Sequence, residues 1–226
     1  MIYMSQASDF RPYEEYTRFE PSEMIQRAKD FYTLVSRRRS VRAFSSEEIP
    51  DHVLDYAIKS AGTAPNGANK QPWHFVVVKD AAKKHALRLA AEKEEHLFYH
   101  GRAPEEWLAD LEQFDTNEHK PFIEEAPTLI AIFSQSYHIK ESGEQEKHYY
   151  VKESVGIATG MLITALHNAG LATLTHTPSP MGFLNELLDR PKHEKAFLLL
   201  ICGFPKEDVE VPNIQKKPLE QIRTVF

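Results

Sequence analysis

Four arginines and two serines fall within Ser36-Arg37-Arg38-Arg39-Ser40-Val41-Arg42, in a chain whose net charge is −6. Guanidiniums form forked, charge-assisted bonds to phosphate, and small hydroxyls fill the remaining acceptor positions. The segment therefore suits a phosphorylated ligand, although a solvated basic turn has the same composition. A second grouping is Glu95 and Tyr99, spaced i and i+4 so that both project from one helix face, with Lys120 further along. Carboxylate, phenol and ammonium together can hold an amino-acid zwitterion; taken singly, Glu and Lys mostly sit solvated on surfaces. Thr175-His176-Thr177-Pro178 puts two hydroxyls at the end of an apolar stretch, where they either meet a ligand or satisfy a plain turn.

Other reactive side chains carry less. His74, His96, His100, His119, His148, His167, His176 and His193 show no recognisable metal spacing, so no metal is expected and they read as surface or hydrogen-bonded groups. The single cysteine, Cys202, lies in the apolar run Phe197–Cys202, where burial raises a thiol pKa and makes it inert. No Walker or Rossmann glycine fingerprint is present, so a nicotinamide donor has no domain of its own here.

The elements that must position these groups follow from periodicity and punctuation. Residues 1–20 are rich in Tyr, Glu, Asp and Pro without a clear period and read as an extended arm. Residues 21–226 read as a single domain. A helix is expected over 21–36, with Met24, Ala28, Phe31 and Leu34 on one face, and another from Pro50 to Gly62, with Gly62 as its C-cap. The small-residue loop Gly62–His74 leads into a strand, Phe75–Lys79. A charged helix follows over 81–99, and then a polar, aromatic segment from 100 to 122. Such a segment suits a lid, placed at about 92–122, with residues 100–122 expected to be open or disordered without substrate. Pro127–Phe133, Leu171–Thr175 and Phe197–Cys202 read as strands, Phe183–Leu188 as a short helix, and Tyr149–Ala169 as the longest apolar helix, carrying Gly156 and Gly160. From Lys206 onward an extended tail with a short helix is expected. Interleaved helices and strands give an α+β or α/β class.

Two segments, Arg38–Phe44 and Gly62–Phe75, are similar to those of the nitroreductase superfamily of FMN enzymes. Glu95, Tyr99, Lys120, Lys147–Tyr150, Thr175–Pro178 and Arg190–Lys195 resemble the iodotyrosine deiodinases within it, nearly continuously from Arg37 to the C-terminus. The resemblance selects an α+β nitroreductase-like FMN fold, a mixed central sheet flanked by helices, in an intertwined homodimer whose interface includes the 149–169 helix and whose N-terminal arms wrap the partner. It implies that Arg38, Arg39, Ser40, Val41 and Arg42 contact the FMN phosphate and ribityl chain, with Lys216 as a second cation there. Pro65, Asn66, Thr175 and His176 line the cofactor. Thr177 is the catalytic contact, donating to flavin N5 and supporting one-electron steps. Glu95 takes the substrate ammonium, Tyr99 and Lys120 its carboxylate, and the Ala68 N–H the phenolate.

The implied reaction is reductive dehalogenation of 3-iodo- and 3,5-diiodo-L-tyrosine, and of bromo- and chlorotyrosine, with NAD(P)H or a reductase partner as electron source. The rivals are a general FMN-dependent nitroreductase or quinone reductase in which Glu95, Tyr99 and Lys120 are incidental, and a non-catalytic flavin- or amino-acid-binding protein. The acidic balance argues against a nucleic-acid-binding role, which calls for a broad basic surface. One cysteine cannot form an intrachain disulfide. Residues 1–10 lack a basic start and a continuous apolar stretch, and no run approaches about twenty apolar residues. The expectation is a cytoplasmic protein with no membrane partner, unlike the membrane-anchored animal deiodinases.

Overall fold

Pro127–Phe133 and Phe197–Cys202 are too apolar to face water on either side, and the fold sets them side by side at its centre. The computed structural model describes residues 10–226; the rest of the expected arm, residues 1–9, lies outside them. The described residues divide at Arg37/Arg38 into two compact units. In the first, residues 10–20 hold only a turn at Glu14-Glu15, followed by helix α1 (Pro21–Ser36). No residue of α1 is buried, and Met24, Ile25, Phe31 and Tyr32 are exposed.

The second unit contains, in order, α2 (Asp51–Gly62), β1 (Trp73–Val78), α3 (Ala81–Leu97), α4 (Glu105–Glu112), α5 (Phe122–Glu125), β2 (Thr128–Gln135), β3 (Tyr137–Ile139), β4 (Gln145–Lys147), α6 (Val151–Asn168), β5 (Ala172–His176), α7 (Gly182–Leu187), β6 (Glu194–Gly203) and α8 (Leu219–Ile222). The main sheet runs β1-β2-β6-β5 with antiparallel neighbours throughout. A parallel bridge from Ser40 to Thr173 adds its one parallel pairing among the described residues.

Alternation along β2 and β6 sends side chains into two separate cores. Leu129, Ala131 and Phe133, with Leu199 and Ile201, meet Leu87 and Ala91 of α3, Phe122 and Ile123 of α5 and Leu184 of α7. Ile130 and Ile132, with Leu198, Leu200 and Cys202, meet Leu54, Ala57 and Ala61 of α2 and Val155, Leu162 and Leu166 of α6. Each of the leucine, isoleucine, valine and phenylalanine side chains contributes about 1.5–3 kcal/mol on burial. At the head of β6, Glu194 is buried and bound two-pronged by Arg190 at 2.7 and 3.0 Å, with Gln135 donating at 2.9 Å. The Arg190–Lys195 segment thus anchors the sheet.

Several expectations change. Gly62 is the last residue of α2 and the cap is Thr63, with φ −85°, its hydroxyl donating to the Ser60 carbonyl at 2.8 Å. The 100–122 segment, expected to be open or disordered, carries a π-helical turn over Phe98–Arg102 and the two turns of α4. The β3–β4 hairpin was not anticipated. Its turn uses Gly143 at φ +83°, and Lys70 and His138 pair with Glu146 at 2.8 and 3.1 Å.

Gly203 ends β6 where β2 begins. A Cβ there would lie 2.7 Å from Pro127 Cδ and 3.2 Å from Phe44 Cδ1, so Gly203→Ala is expected to cost about 1–3 kcal/mol through overpacking. Gly62, with open space around its missing Cβ, is the control: Gly62→Ala is expected to be neutral or stabilising by up to about 1 kcal/mol. Chemical denaturation of both variants checks the contrast.

Candidate active site

The arginine segment is laid along the β5 edge by its own apolar pegs. Val41 and Phe44 are buried in the α3-side core, and between them the backbone bonds outward. Val41 N–H donates to Thr173 O at 3.3 Å, Ser45 N–H to Phe204 O at 2.9 Å, and Lys206 N–H to Ala43 O at 3.1 Å. With Val41 and Phe44 buried, Arg38, Arg39 and Arg42 are left only partly covered at the rim. The tail reaches the same place: Arg39 Nη2 donates to the Pro212 carbonyl. Arg38, Arg39, Ser40 and Lys216 therefore share one cleft of about 100 Å³, from segments far apart in sequence.

Next to it lies a cavity of about 210 Å³ whose lining includes Arg42, Glu95, Tyr99, Lys120, His176 and Thr177. Arg42 borders both spaces. Strand alternation at the end of β5 leaves Thr175 and Thr177 exposed and buries His176. The 100–122 segment contributes Trp107, Leu111 and Thr116 to the wall.

Within the cavity Lys120 Nζ lies 3.1 Å from Glu95 Oε2, with side chains only 4% and 13% exposed. Lys120 also donates to the Asn117 carbonyl and, at 3.3 Å, to Thr116 Oγ1. Its ammonium stands 5.5 Å from the centre of the Tyr99 ring, and Tyr99 Oη donates to Thr116 at 3.4 Å. Burial pulls the Lys120 ammonium below the ordinary lysine range; the Glu95 carboxylate opposes the shift and Arg42 adds to it. The same desolvation, with Lys120 as a lesser cause, lowers His176 to about 3. His176 Nε2 is buried without a hydrogen-bond partner, and the ring meets Phe122 edge-on at 5.8 Å. A neutral, unsatisfied imidazole beside a buried ion pair suits a polar ligand.

The small-residue loop is stapled from within. The Asn66 side chain accepts from the Gln71 N–H at 2.7 Å and donates to Ala64 O at 3.1 Å. Ala68 and Asn69 hold φ of 51° and 53°, a left-handed conformation that non-glycine residues adopt at a cost. Pro65, Asn66 and Ala68 line neither of the two cavities, so the described chain does not bring them to the other expected site residues.

A family model described as the nitroreductase family matches residues 35–204. The chain belongs to the nitroreductase family. It is 48% identical, over 99% of its length and 100% of the relative's, to an iodotyrosine deiodinase from Haliscomenobacter hydrossis. It is 45% identical to iodotyrosine deiodinase 1 from Homo sapiens, over 92% of this chain and 72% of that one. A crystal structure of oxidized iodotyrosine deiodinase bound to FMN and 3-iodo-L-tyrosine superimposes with a TM-score of 0.73 at 30% identity, covering 86% of this chain and 100% of that one. No helix among the described residues is long and apolar enough to cross a membrane.

Sequence reasoning missed a cluster beside this family site. His96, His100 and Glu118, the first two read as bland surface histidines, present ligand atoms all within 4.8 Å of one another. The available signal was the i, i+4 spacing of the histidines, which puts both rings on one helix face.

Because the folded chain keeps His176 neutral down to about pH 3 while an unfolded histidine protonates near 6.5, the unfolded state binds more protons between those values. Stability conferred by the neutral ring is complete above about pH 6.5 and falls by up to about 1.4 kcal/mol per pH unit below it. Denaturation midpoints measured from pH 7 to pH 4 are expected to fall less steeply for His176→Asn than for the wild type.

Proposed function

We propose that this nitroreductase-family chain is an FMN-dependent reductive deiodinase of 3-iodo-L-tyrosine and 3,5-diiodo-L-tyrosine, with bromo- and chlorotyrosines as further substrates. The observation that carries the reading is the buried Glu95–Lys120 pair, with Tyr99 beside it, in a cavity adjoining the basic cleft. The 48% identity to an iodotyrosine deiodinase supports it.

The residues present fit FMN. Arg38, Arg39, Ser40 and Lys216 gather enough positive charge for a phosphate dianion, and the unpartnered His176 Nε2 offers a polar contact deeper in. In this reading the first four hold the phosphate, Val41 and Arg42 the ribityl region, and Thr175, His176 and Thr177 the ring, with Thr177 supplying a hydroxyl donor at its edge. When bound, reduced FMN would supply the two electrons that, with one proton, replace C–I by C–H and release iodide.

The chain's own work is to hold the amino acid. A zwitterion entering the cavity exchanges one ion pair for two: its ammonium goes to Glu95, and its carboxylate to Lys120 and Tyr99. Both protein charges are already desolvated and aligned, so binding avoids much of the cost of burying them afresh. The ortho halogen acidifies the phenol, and the Ala68 N–H of a second copy of the chain would stabilise the phenolate. Phe98, Trp107 and Leu111 cover the aryl ring and keep water out, which strengthens each of these contacts.

A homodimer is part of the same proposal. The outer face of α6 exposes Gly156, Ile157 and Gly160, and Tyr149 and Tyr150 are exposed at its start. The uncovered apolar side chains of α1 and the arm before it suit a partner's surface, and Pro65, Asn66 and Ala68 would then serve the site of the partner. NAD(P)H or a reductase partner is the electron source in this reading, and the compartment is the cytoplasm.

Titrating FMN-loaded protein with 3-iodotyrosine is expected to quench flavin fluorescence, and anaerobic reduction with dithionite to release stoichiometric iodide. Weak quenching with fast turnover of nitroaromatics would instead leave a general nitroreductase. Glu95→Gln is expected to raise KM for iodotyrosine at least roughly 30-fold, the equivalent of about 2 kcal/mol for unpairing a buried charge, while FMN content stays unchanged. Thr177→Ala is expected to depress iodide release more than nitro reduction, checked by comparing kcat for the two substrates in the same preparation.

A further inference from the structure

We propose that His96, His100 and Glu118 form a binding site for a zinc-class divalent cation on the outer side of the lid, distinct from the substrate cavity. His96 Nδ1 lies 2.7 Å and His100 Nε2 3.0 Å from the same carboxylate oxygen, Glu118 Oε2, and the two imidazole centroids are 4.5 Å apart. Two imidazoles and one carboxylate are a donor set that zinc accepts, with solvent completing the tetrahedron. Tetrahedral bonds of about 2.0–2.1 Å set ligand atoms roughly 3.3 Å apart; all three ligand atoms here lie within 4.8 Å of one another, so side-chain rotation alone can bring them to coordinating positions. The histidine side chains are 60% exposed and Glu118 is 27% exposed, leaving room for entry and for water ligands.

Electrostatics favour a cation here. Arg102 is engaged by the Glu94 carboxylate at 2.7 Å and by the Glu94 and Ser179 carbonyls at 2.8 Å. Lys120, two residues beyond Glu118, is paired with Glu95. Arg102 and Lys120 are thus committed to other acceptors, while the partners found for Glu118 are His96, His100 and, at 3.8 Å, His119. A dication held among these three groups would neutralise the Glu118 carboxylate.

The site joins two parts of the chain. His96 and His100 lie next to Glu95 and Tyr99, and Glu118 lies in the return segment after α4. A bound ion would fasten that segment to the end of α3 from behind, as a positioning device with no part in the chemistry.

The test uses the full-length FMN-loaded protein, stripped with chelator and titrated with zinc chloride against a chromophoric competitor. One zinc per chain is expected, with affinity at least about tenfold weaker in His96→Ala, in His100→Ala and in Glu118→Gln, a loss no smaller than removal of an outer-shell partner causes. Hydrogen exchange over residues 113–118 should slow with zinc in the wild type and remain unchanged in the His96→Ala/His100→Ala double variant. FMN content and far-ultraviolet dichroism establish that each variant is folded. Absence of stoichiometric binding in the wild type would overturn the proposal, as would equal affinity in the folded double variant.

Discussion

Burial of β2 and β6 on both faces governs where chemistry can happen in this molecule. Six consecutive residues, Thr128 to Phe133, are buried, and β6 is buried continuously from Leu198 to Gly203. A charge placed there would lack both water and a partner. Ionisable groups are consequently displaced to the sheet's perimeter: the arginine strap beside β5, the threonines where β5 ends, and the carboxylate and ammonium supplied by α3 and the lid. The two cores fix the strands, and the strands fix the places where side chains of opposite character can gather. The deepest exceptions conform to the rule, since Glu194 is buried only with Arg190 clasping it.

The Glu95–Lys120 pair shows how a small cavity can be both stable and receptive. Isolated, either charge would be costly at such low exposure. Together they neutralise each other across 3.1 Å, and the surplus donors of Lys120 are absorbed by Asn117 and Thr116. An amino acid bears the same two charges, a few bonds apart, so it can occupy the space between them without leaving either unpaired. A ligand bearing only one of the charges would strand one side of the pair. In the proposed function, selectivity for zwitterions would arise from this balance of charge, while Phe98, Trp107, Leu111 and the neutral His176 would set the size and polarity of what remains.

The arginine strap was legible from its composition, four guanidiniums and two hydroxyls within seven residues, whereas the burial of Val41 and Phe44 that leaves Arg38, Arg39 and Arg42 at the rim belongs to the fold. The central strands, α2, α3 and α6 were legible from period and punctuation. Convergence of Lys216 on the strap came from resemblance, since nothing local to the tail specifies it. What escaped was either short or non-local. The three-residue strands β3 and β4 have too little pattern to register, and their support comes from Lys70 and His138 on Glu146. Helix α4 does carry a start signal, Pro104 followed by Glu105 and Glu106, but its single apolar pair at i, i+4, Trp107 and Leu111, was outweighed by the polarity of its surroundings. Mutual pairing of Glu95 with Lys120 in the absence of a ligand depends on a fold-back that neither residue encodes.

Cys202 sits with no exposed surface in the α2/α6-side core, and burial raises its thiol to about 12. Thiolate is the reactive form, and this is the sole sulfhydryl in the sequence. The native protein is therefore chemically silent toward maleimides and spin labels near neutral pH. A single cysteine introduced on the exposed side of α4 would carry any attached probe alone, which makes the wild-type chain a ready background for spectroscopy of the lid.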